Sequence, residues 1–578
     1  MSIVTVRRIS QVFFLALFFW LCITATVGGQ WWQMRGWPVN WILNLDPLTA
    51  GATMAATGTL YASLLWSLAA LMLTVVLGRF FCGFACPLGT LNQIFGWIGQ
   101  RSRKPAGRIW ANRPRPARVI KYYLLIFLFA GALTGALLTG IFDPLPLLHR
   151  SINLTLAPVL DSGSLVLSLK PRHYGSAWLI GAVLVSILGL NLVIPRFFCR
   201  FACPLGALFG IFSRFAPWRI GKTADHCGEC TVCEAQCEGA CSPSGTIVTG
   251  ECLMCCNCLH RCPHGRIRFN TTASAGGEGP LPDLSRRGLV MSGAVGLFTG
   301  PVLRLGGMTG LNNNPNLIRP PGALDEDRFL ARCIRCGQCM RACPSNIIQP
   351  ALAEAGLEGL WTPAINYRLG DSGCQVNCIT CGQICPTAAI RPLTLDEKRG
   401  RGDFAASGPI RLGSALVDRS RCLPWVLDRP CIVCQELCPV SPKAIFTRTT
   451  FEPIRDGRGR VMAASDDSLE LAGLGPITAP LAGGDYFLRR GGRPDEPLRR
   501  VNGFSGNKFD LVKSPGWNAP PEPGESVDIV VRLQRPHVDA SRCIGCGMCE
   551  HECPVSGLRA IRVTSENESR SRRGRLIL

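Results

Sequence analysis

Acidic residues are scarce in this 578-residue chain: 39 Asp and Glu stand against 61 Lys and Arg, for a formal net charge of +22. Such an excess raises nucleic acid as a partner, but much of it lies in short loops beside hydrophobic segments. There it reads as a membrane-topology signal, and nucleic-acid binding is set aside. No Cys-x-x-Cys-His occurs, so covalent haem attachment is not signalled. Neither a Gly-x-Gly-x-x-Gly nor a Gly-x-x-x-x-Gly-Lys-Ser/Thr stands in a strand-to-helix context, which leaves no recognised flavin, nicotinamide or nucleotide domain. The 31 cysteines also lack the spacing of a secreted disulfide framework. Most fall in runs of C-x-x-C-x-x-C-x-x-x-C, in which thiols at i, i+3 and i+6 wrap one compact inorganic core. Zinc can also be held by four cysteines, but the repeated run ending in Cys-Pro is far more specific to iron–sulfur clusters.

Hydrophobic runs are plentiful. Four nearly charge-free segments, 9–27, 59–77, 122–141 and 177–194, each approach the roughly 20 residues that cross a bilayer. Between the second and third, RSRKPAGRIWANRPRPARVIK carries eight Lys or Arg and no acid. That loop is expected in the cytoplasm together with the N-terminus, and the loops 28–58 and 142–176 are expected outside. Two near-identical stretches follow the second and fourth segments, RFFCGFACPLG at 79–89 and RFFCRFACPLG at 196–206. The outer loops repeat as well, with Asp-Pro at Asp46 and Asp143. Two copies in one orientation imply a pseudo-twofold axis along the membrane normal, which brings Cys82, Cys86, Cys199 and Cys203 to one inner location. Three readings of that quartet stay open: an additional Fe–S centre, a redox-active dithiol or disulfide, and a structural role. Asp46 and Asp143 read either as helix caps or as acceptors of quinol protons.

A first pair of cysteine runs follows, with Cys227, Cys230, Cys233 and Cys237, then Cys252, Cys255, Cys258 and Cys262. In the two-cluster ferredoxin pattern the fourth cysteine of each run serves the other run's cluster. One cluster is therefore expected on Cys227, Cys230, Cys233 and Cys262, and the second on Cys252, Cys255, Cys258 and Cys237. Cys241 competes with Cys237, because the first run lacks Cys-Pro at its end. A linker over 271–287 ends in Ser-Arg-Arg (Arg286, Arg287), and a modest apolar run occupies 288–307. This reads as an internal twin-arginine signal retained as a fifth transmembrane helix. Four more runs follow: Cys333, Cys336, Cys339 and Cys343; Cys374, Cys378, Cys381 and Cys385; Cys422, Cys431, Cys434 and Cys438; Cys543, Cys546, Cys549 and Cys553. Nesting the second and third runs inside a first-with-fourth pair is the favoured pairing, because more than a hundred residues separate Cys438 from Cys543. The intervening polar, glycine-rich stretch reads as a surface insertion of short strands and loops.

On these motifs the first half resembles the membrane ferredoxin-type proteins of the NapH and NosR group, and the second half resembles the exported NapG and MauM group. The chain opens directly on its first helix, without the outer flavin-binding domain of NosR-like members, so the NapH type is expected. The resemblance implies oxidation of a membrane quinol, with the quinone pool as one partner and a periplasmic reductase or cytochrome, including the nitrate-reductase type, as the other. The alternatives are a maturation or activation factor for a periplasmic oxidoreductase, and a relay fed by a cytoplasmic ferredoxin or flavoprotein. The expected fold class is a multidomain membrane protein of the bacterial inner membrane. It comprises a four-helix transmembrane domain with a parallel internal repeat (1–215), an inner two-cluster ferredoxin-like α+β domain in the cytoplasm (216–270), the linker (271–287), a signal-anchor helix (288–307), and an outer four-cluster ferredoxin-like α+β domain in the periplasm (308–578). Six [4Fe-4S] clusters, quinol as substrate and export machinery during biogenesis complete the expectation.

Overall fold

The computed structural model describes residues 2–25, 39–59, 61–164, 172–225, 227, 230–308, 314–475, 485–491, 497–513 and 516–570. The chain divides into two compact units. The first comprises residues 1–370, 377–410 and 570–572, and the second 371–376, 411–569 and 573–578.

The first unit opens on the helix Ile3–Thr24, capped by the Ser2 hydroxyl. This helix and the helical stretch Pro105–Leu133 are long and apolar enough to cross a membrane. Shorter apolar helices run over Ala62–Leu77, Ala177–Val193 and Pro204–Ser213. Their outward residues are large and apolar, including Val12, Phe13, Met72, Trp178 and Val185. A band of that kind suits lipid, not water. The expected third segment does not run to residue 141: its helix ends at Leu133, and Gly135, at φ 84°, turns the chain into the short helix Thr139–Phe142.

The Asp-Pro sequences are not surface loops. Asp46 caps the helix Pro47–Thr57 and Asp143 caps the helix Pro144–Ser151, each with Pro in the first turn, and both aspartates are fully buried. The helix Arg286–Met308 packs in parallel along Ile120–Leu133: a Cβ on Gly288, Gly296 or Gly300 would meet Tyr123, Phe127 and Thr134 in turn. Small residues every fourth position allow backbones this close. In the ferredoxin-like parts of this unit, β1 (Arg219–Lys222) pairs antiparallel with β2 (Ile267–Asn270), and β3 (Ile348–Pro350) with β4 (Pro363–Ile365).

In the second unit β5 (Ser414–Val417) pairs with β12 (Ile561–Thr564). Between them the expected surface insertion of short strands and loops is a closed antiparallel barrel. Its strands are β6 (Ile445–Ala464), β7 (Ser468–Ala472), β8 (Tyr486–Arg490), β9 (Arg499–Ser505), β10 (Lys508–Leu511) and β11 (Ser526–Val538), in the order β10-β7-β6-β11-β8-β9. Val527, Ile529, Val531 and Leu533 of β11 alternate inward, onto a core shared with Leu469, Leu488 and Phe509. Ile445 and Val538 are register partners, so the barrel leaves and returns at one point.

Candidate electron-transfer centres

The repeated Cys-x-x-x-Cys-Pro motifs converge. Cys82, Cys86, Cys199 and Cys203 line one small cavity together with Arg79, Phe81, Leu88, Pro144 and Leu205. The local sequence builds it twice over. In each copy the second cysteine caps a helix beginning Pro-Leu-Gly, with its Sγ accepting the glycine N–H, at 3.3 Å for Cys86 and 3.2 Å for Cys203. The second cysteines are buried and the first half-buried.

Three further cavities are lined by four cysteines each. Cys333, Cys336, Cys339 and Cys385 line one in the first unit. Cys438, Cys543, Cys546 and Cys549 line another in the second unit, and Cys422, Cys431, Cys434 and Cys553 the third. The last cysteine of one run thus completes the first three of its partner, as swapped ligation requires. The partners, however, are consecutive: first with second, third with fourth. The nested pairing is corrected, because the barrel's register returns the chain beside its own exit and cancels the sequence separation between Cys438 and Cys543. Cys343, Cys378 and Cys381 belong to the first unit, whereas Cys374 lies in the second, where its N–H donates to Cys546 O at 2.7 Å.

In the 216–270 region, Cys255, Cys237, Cys252 and Cys256 are the buried electrostatic neighbours of Cys258. Cys241 joins them, 3.3 Å from Cys237 sulfur to sulfur, so both candidates for the contested position occupy one site. Cys230 neighbours Cys233, and Cys262 accepts the Arg266 N–H at 3.3 Å. Cys227 is half-buried, and its carbonyl accepts the Cys230 N–H at 3.3 Å. Among the described residues no three His, Cys, Asp or Glu side chains converge tightly enough for a single metal ion. Quartets of thiols around a shared space fit a polynuclear iron–sulfur core.

The quartet of the helical region touches neighbours on two sides. A Cβ on Gly83, between Cys82 and Cys86, would stand 2.3 Å from the Leu253 carbonyl, so the loop of Cys252 and Cys255 lies directly on the motif. Toward the other side Pro144 lines the cavity, and six residues on Arg150 donates to Arg335 O at 3.1 Å while His149 Nδ1 donates to Cys336 O at 3.0 Å. Gly140 meets the same run, with room for no Cβ beside the Ile334 carbonyl. Cys86, Cys203, Leu88, Leu145, Leu148, Ile334 and Cys336 share one core. Asp46 and Asp143 are both fully buried in this helical region, with Thr49 between them. Thr49 Oγ1 lies 3.0 Å from Asp46 Oδ2 and 3.5 Å from Asp143 Oδ2.

Sequence reasoning missed the charged groups around this quartet: Arg79, Lys121, Arg196, Glu238 and Glu251. The signal was present, since each repeat copy opens with an arginine three residues ahead of its first cysteine.

Cysteine quartets at these spacings, in helical and α+β settings, define an iron–sulfur electron-transfer protein. Two family models, each described as a 4Fe-4S binding domain, match residues 59–105 with 174–223, and residues 329–349 with 536–559. The putative electron transport protein YccM of Escherichia coli is 27% identical over 277 residues, covering 45% of this chain and 73% of its own. The methylamine utilization ferredoxin-type protein MauM of Methylophilus methylotrophus is 32% identical over 181 residues, 30% of this chain and 72% of its own. The ferredoxin-type protein NapG of E. coli is 38% identical over 130 residues, 22% of this chain and 50% of its own. The chain belongs to the MauM family of ferredoxin-type proteins. No solved structure matches it.

Proposed function

We propose that this protein oxidises a membrane quinol and passes the electrons to a periplasmic reductase or cytochrome, as a natural fusion of a NapH-type membrane subunit with a NapG/MauM-type polyferredoxin. Iron–sulfur cores supply one-electron chemistry when bound. Twenty-four cysteines of the six ferredoxin runs would hold six [4Fe-4S] clusters, and Cys82, Cys86, Cys199 and Cys203 a further centre.

The observation that carries the reading is the packed path through the first unit. The loop of Cys252 and Cys255 rests on Gly83 of the membrane quartet, and Pro144 of that quartet's cavity begins the helix whose far end touches Cys336. From Pro144 to His149 is about 8 Å along a helix axis. The continuous apolar core between the two cysteine sets supports transfer between them without an intervening haem. The parallel packing of Arg286–Met308 on Ile120–Leu133 supports a fifth crossing in the direction of the third, with Arg286 and Arg287 as its export signal and the residues beyond it in the periplasm. The likeness to MauM favours, as a second reading, service to a periplasmic oxidoreductase during its maturation.

The test is anaerobic purification in detergent, with iron and acid-labile sulfide counted per chain and EPR followed on addition of a ubiquinol or menaquinol analogue. About 28 irons and rapid reduction are expected, at four per cubane. Full cluster content with no reduction by either quinol would move the function to cytoplasmic electron input or maturation.

A further inference from the structure

The two arginines that open the repeated motifs, Arg79 and Arg196, are fully buried and hold equivalent positions in the sequence repeat. Each reaches across to the other copy. Arg79 Nη2 lies 2.7 Å from the point a Cβ on Gly206 would occupy, with Cys203 Sγ 3.3 Å from that point. Arg196 Nη1 lies 3.3 Å from the equivalent point on Gly89, with Cys86 Cβ also at 3.3 Å. Both are tied to acids that flank cysteines of the 216–270 region: Arg79 Nη1 is 3.5 Å from Glu251, next to Cys252, and Arg196 Nε is 2.8 Å from Glu238, next to Cys237.

Beyond that the pair is unequal. Each nitrogen of Arg196 has an acceptor, with Nε on Glu238, Nη1 donating to Cys82 O at 3.3 Å and Nη2 to Gln93 Oε1 at 3.0 Å. Arg79 uses Nη1 on Gly250 O and Glu251, while its Nε and Nη2 meet no oxygen or nitrogen acceptor among the described residues and the guanidinium has the Cys82 thiol as its neighbour. Its single carboxylate is shared with Lys121, in close contact, and with the Tyr122 hydroxyl at 3.0 Å. Two buried cations therefore divide one anion, and the guanidinium with spare N–H groups forms a wall of the cysteine cavity. A buried cation is stable beside an anion and costly without one. Neutral thiols or a disulfide supply no anion. Four thiolates around an iron–sulfur core do, and hydrogen bonds to their sulfurs set the core's potential.

We propose that Arg79 is the electrostatic partner of an iron–sulfur cluster held by Cys82, Cys86, Cys199 and Cys203, donating its spare N–H groups to the cluster's sulfur, and that Arg196 is the positioning residue that fixes the opposite turn. The proposal rests on the relay reading in which this quartet holds a centre, and it selects that role over a dithiol or a structural one. Arg79 stabilises the more negative, reduced state of such a centre, so its removal lowers the midpoint potential.

The test is EPR-monitored redox titration of the full-length protein in detergent, with iron counted on the same samples. Cys82→Ser with Cys199→Ser identifies the centre, by loss of about four irons and one EPR signal. Unchanged iron and spectra in that variant overturn the relay reading itself. Arg79→Gln is expected to retain the iron and to lower the midpoint of that one signal, leaving the other centres unmoved. A midpoint equal to wild type overturns the role of Arg79 while the quartet's occupancy stands. Should Arg79→Gln lose the centre, Arg79→Lys decides: retention of the signal with a midpoint near wild type supports the charge role, and loss of it there too overturns it.

Discussion

Glu326 stands between Arg319, at 2.5 Å, and Arg570, at 2.8 Å, and ties the C-terminal end of the first unit to its Cys333 region. Burial alone would raise its carboxyl; the two guanidinium groups outweigh that and hold it at about 2. A depressed carboxylate stabilises the fold above its unfolded value, near 4.5, and that contribution fades as pH falls toward 2. Glu326→Gln is therefore expected to lower the thermal unfolding midpoint at pH 7, with the gap to wild type narrowing below about pH 4.5 in parallel melts. A gap independent of pH would contradict the pairing. At this scale the sequence was most legible where chemistry fixes spacing: Cys333, Cys336 and Cys339 line one cavity as their run implied, with Cys385 as the swapped fourth. It was least legible for Arg79 and Glu251. Charges inside a membrane region read as topology until a fold brings an acid 172 residues away in sequence to meet the arginine.

Among the elements, the helix Arg286–Met308 depends most on residues that do nothing chemical. Gly296 sits where a Cβ would be 2.5 Å from Phe127 O and 2.7 Å from Ala130 Cβ. Gly296→Leu is expected to destabilise the packing of this helix by about 1–3 kcal/mol. The check is limited proteolysis in detergent, with faster cleavage in the 271–287 linker; cleavage at the wild-type rate would show that the two helices do not depend on this contact. The four apolar segments were visible in composition, but their breaks were not. The third ends at Leu133, and both Asp-Pro pairs begin short buried helices instead of lying in outer loops. A capping aspartate beside an N1 proline is a helix-start signal in sequence, yet nothing local says that the new helix starts inside the protein.

Across the whole molecule, topology decided what motif counting left open. A run of cysteines names its own three ligands, but its fourth comes from whichever run the fold brings near, and strand register settles that. β6 and β11 bring Ile445 to Val538 and thereby pair the third run with the fourth. The alternation in β11 was readable as a strand, whereas closure into a barrel depends on pairing among six strands dispersed over 445–538. The same dependence explains the central claim. Cys82, Cys86, Cys199 and Cys203 stand between the Cys252 loop and the Cys333 run because the two motif copies converge on one cavity and a single helix spans the remaining gap.

The most direct measurement is freeze-quench EPR after anaerobic mixing with a quinol analogue, comparing wild type with Cys82→Ser, Cys199→Ser. The relay account predicts that wild type reduces the centres of both ferredoxin-like regions in one time course, and that the variant reduces those on only one side of the missing quartet. Reduction of all remaining centres at the wild-type rate in the variant would contradict it.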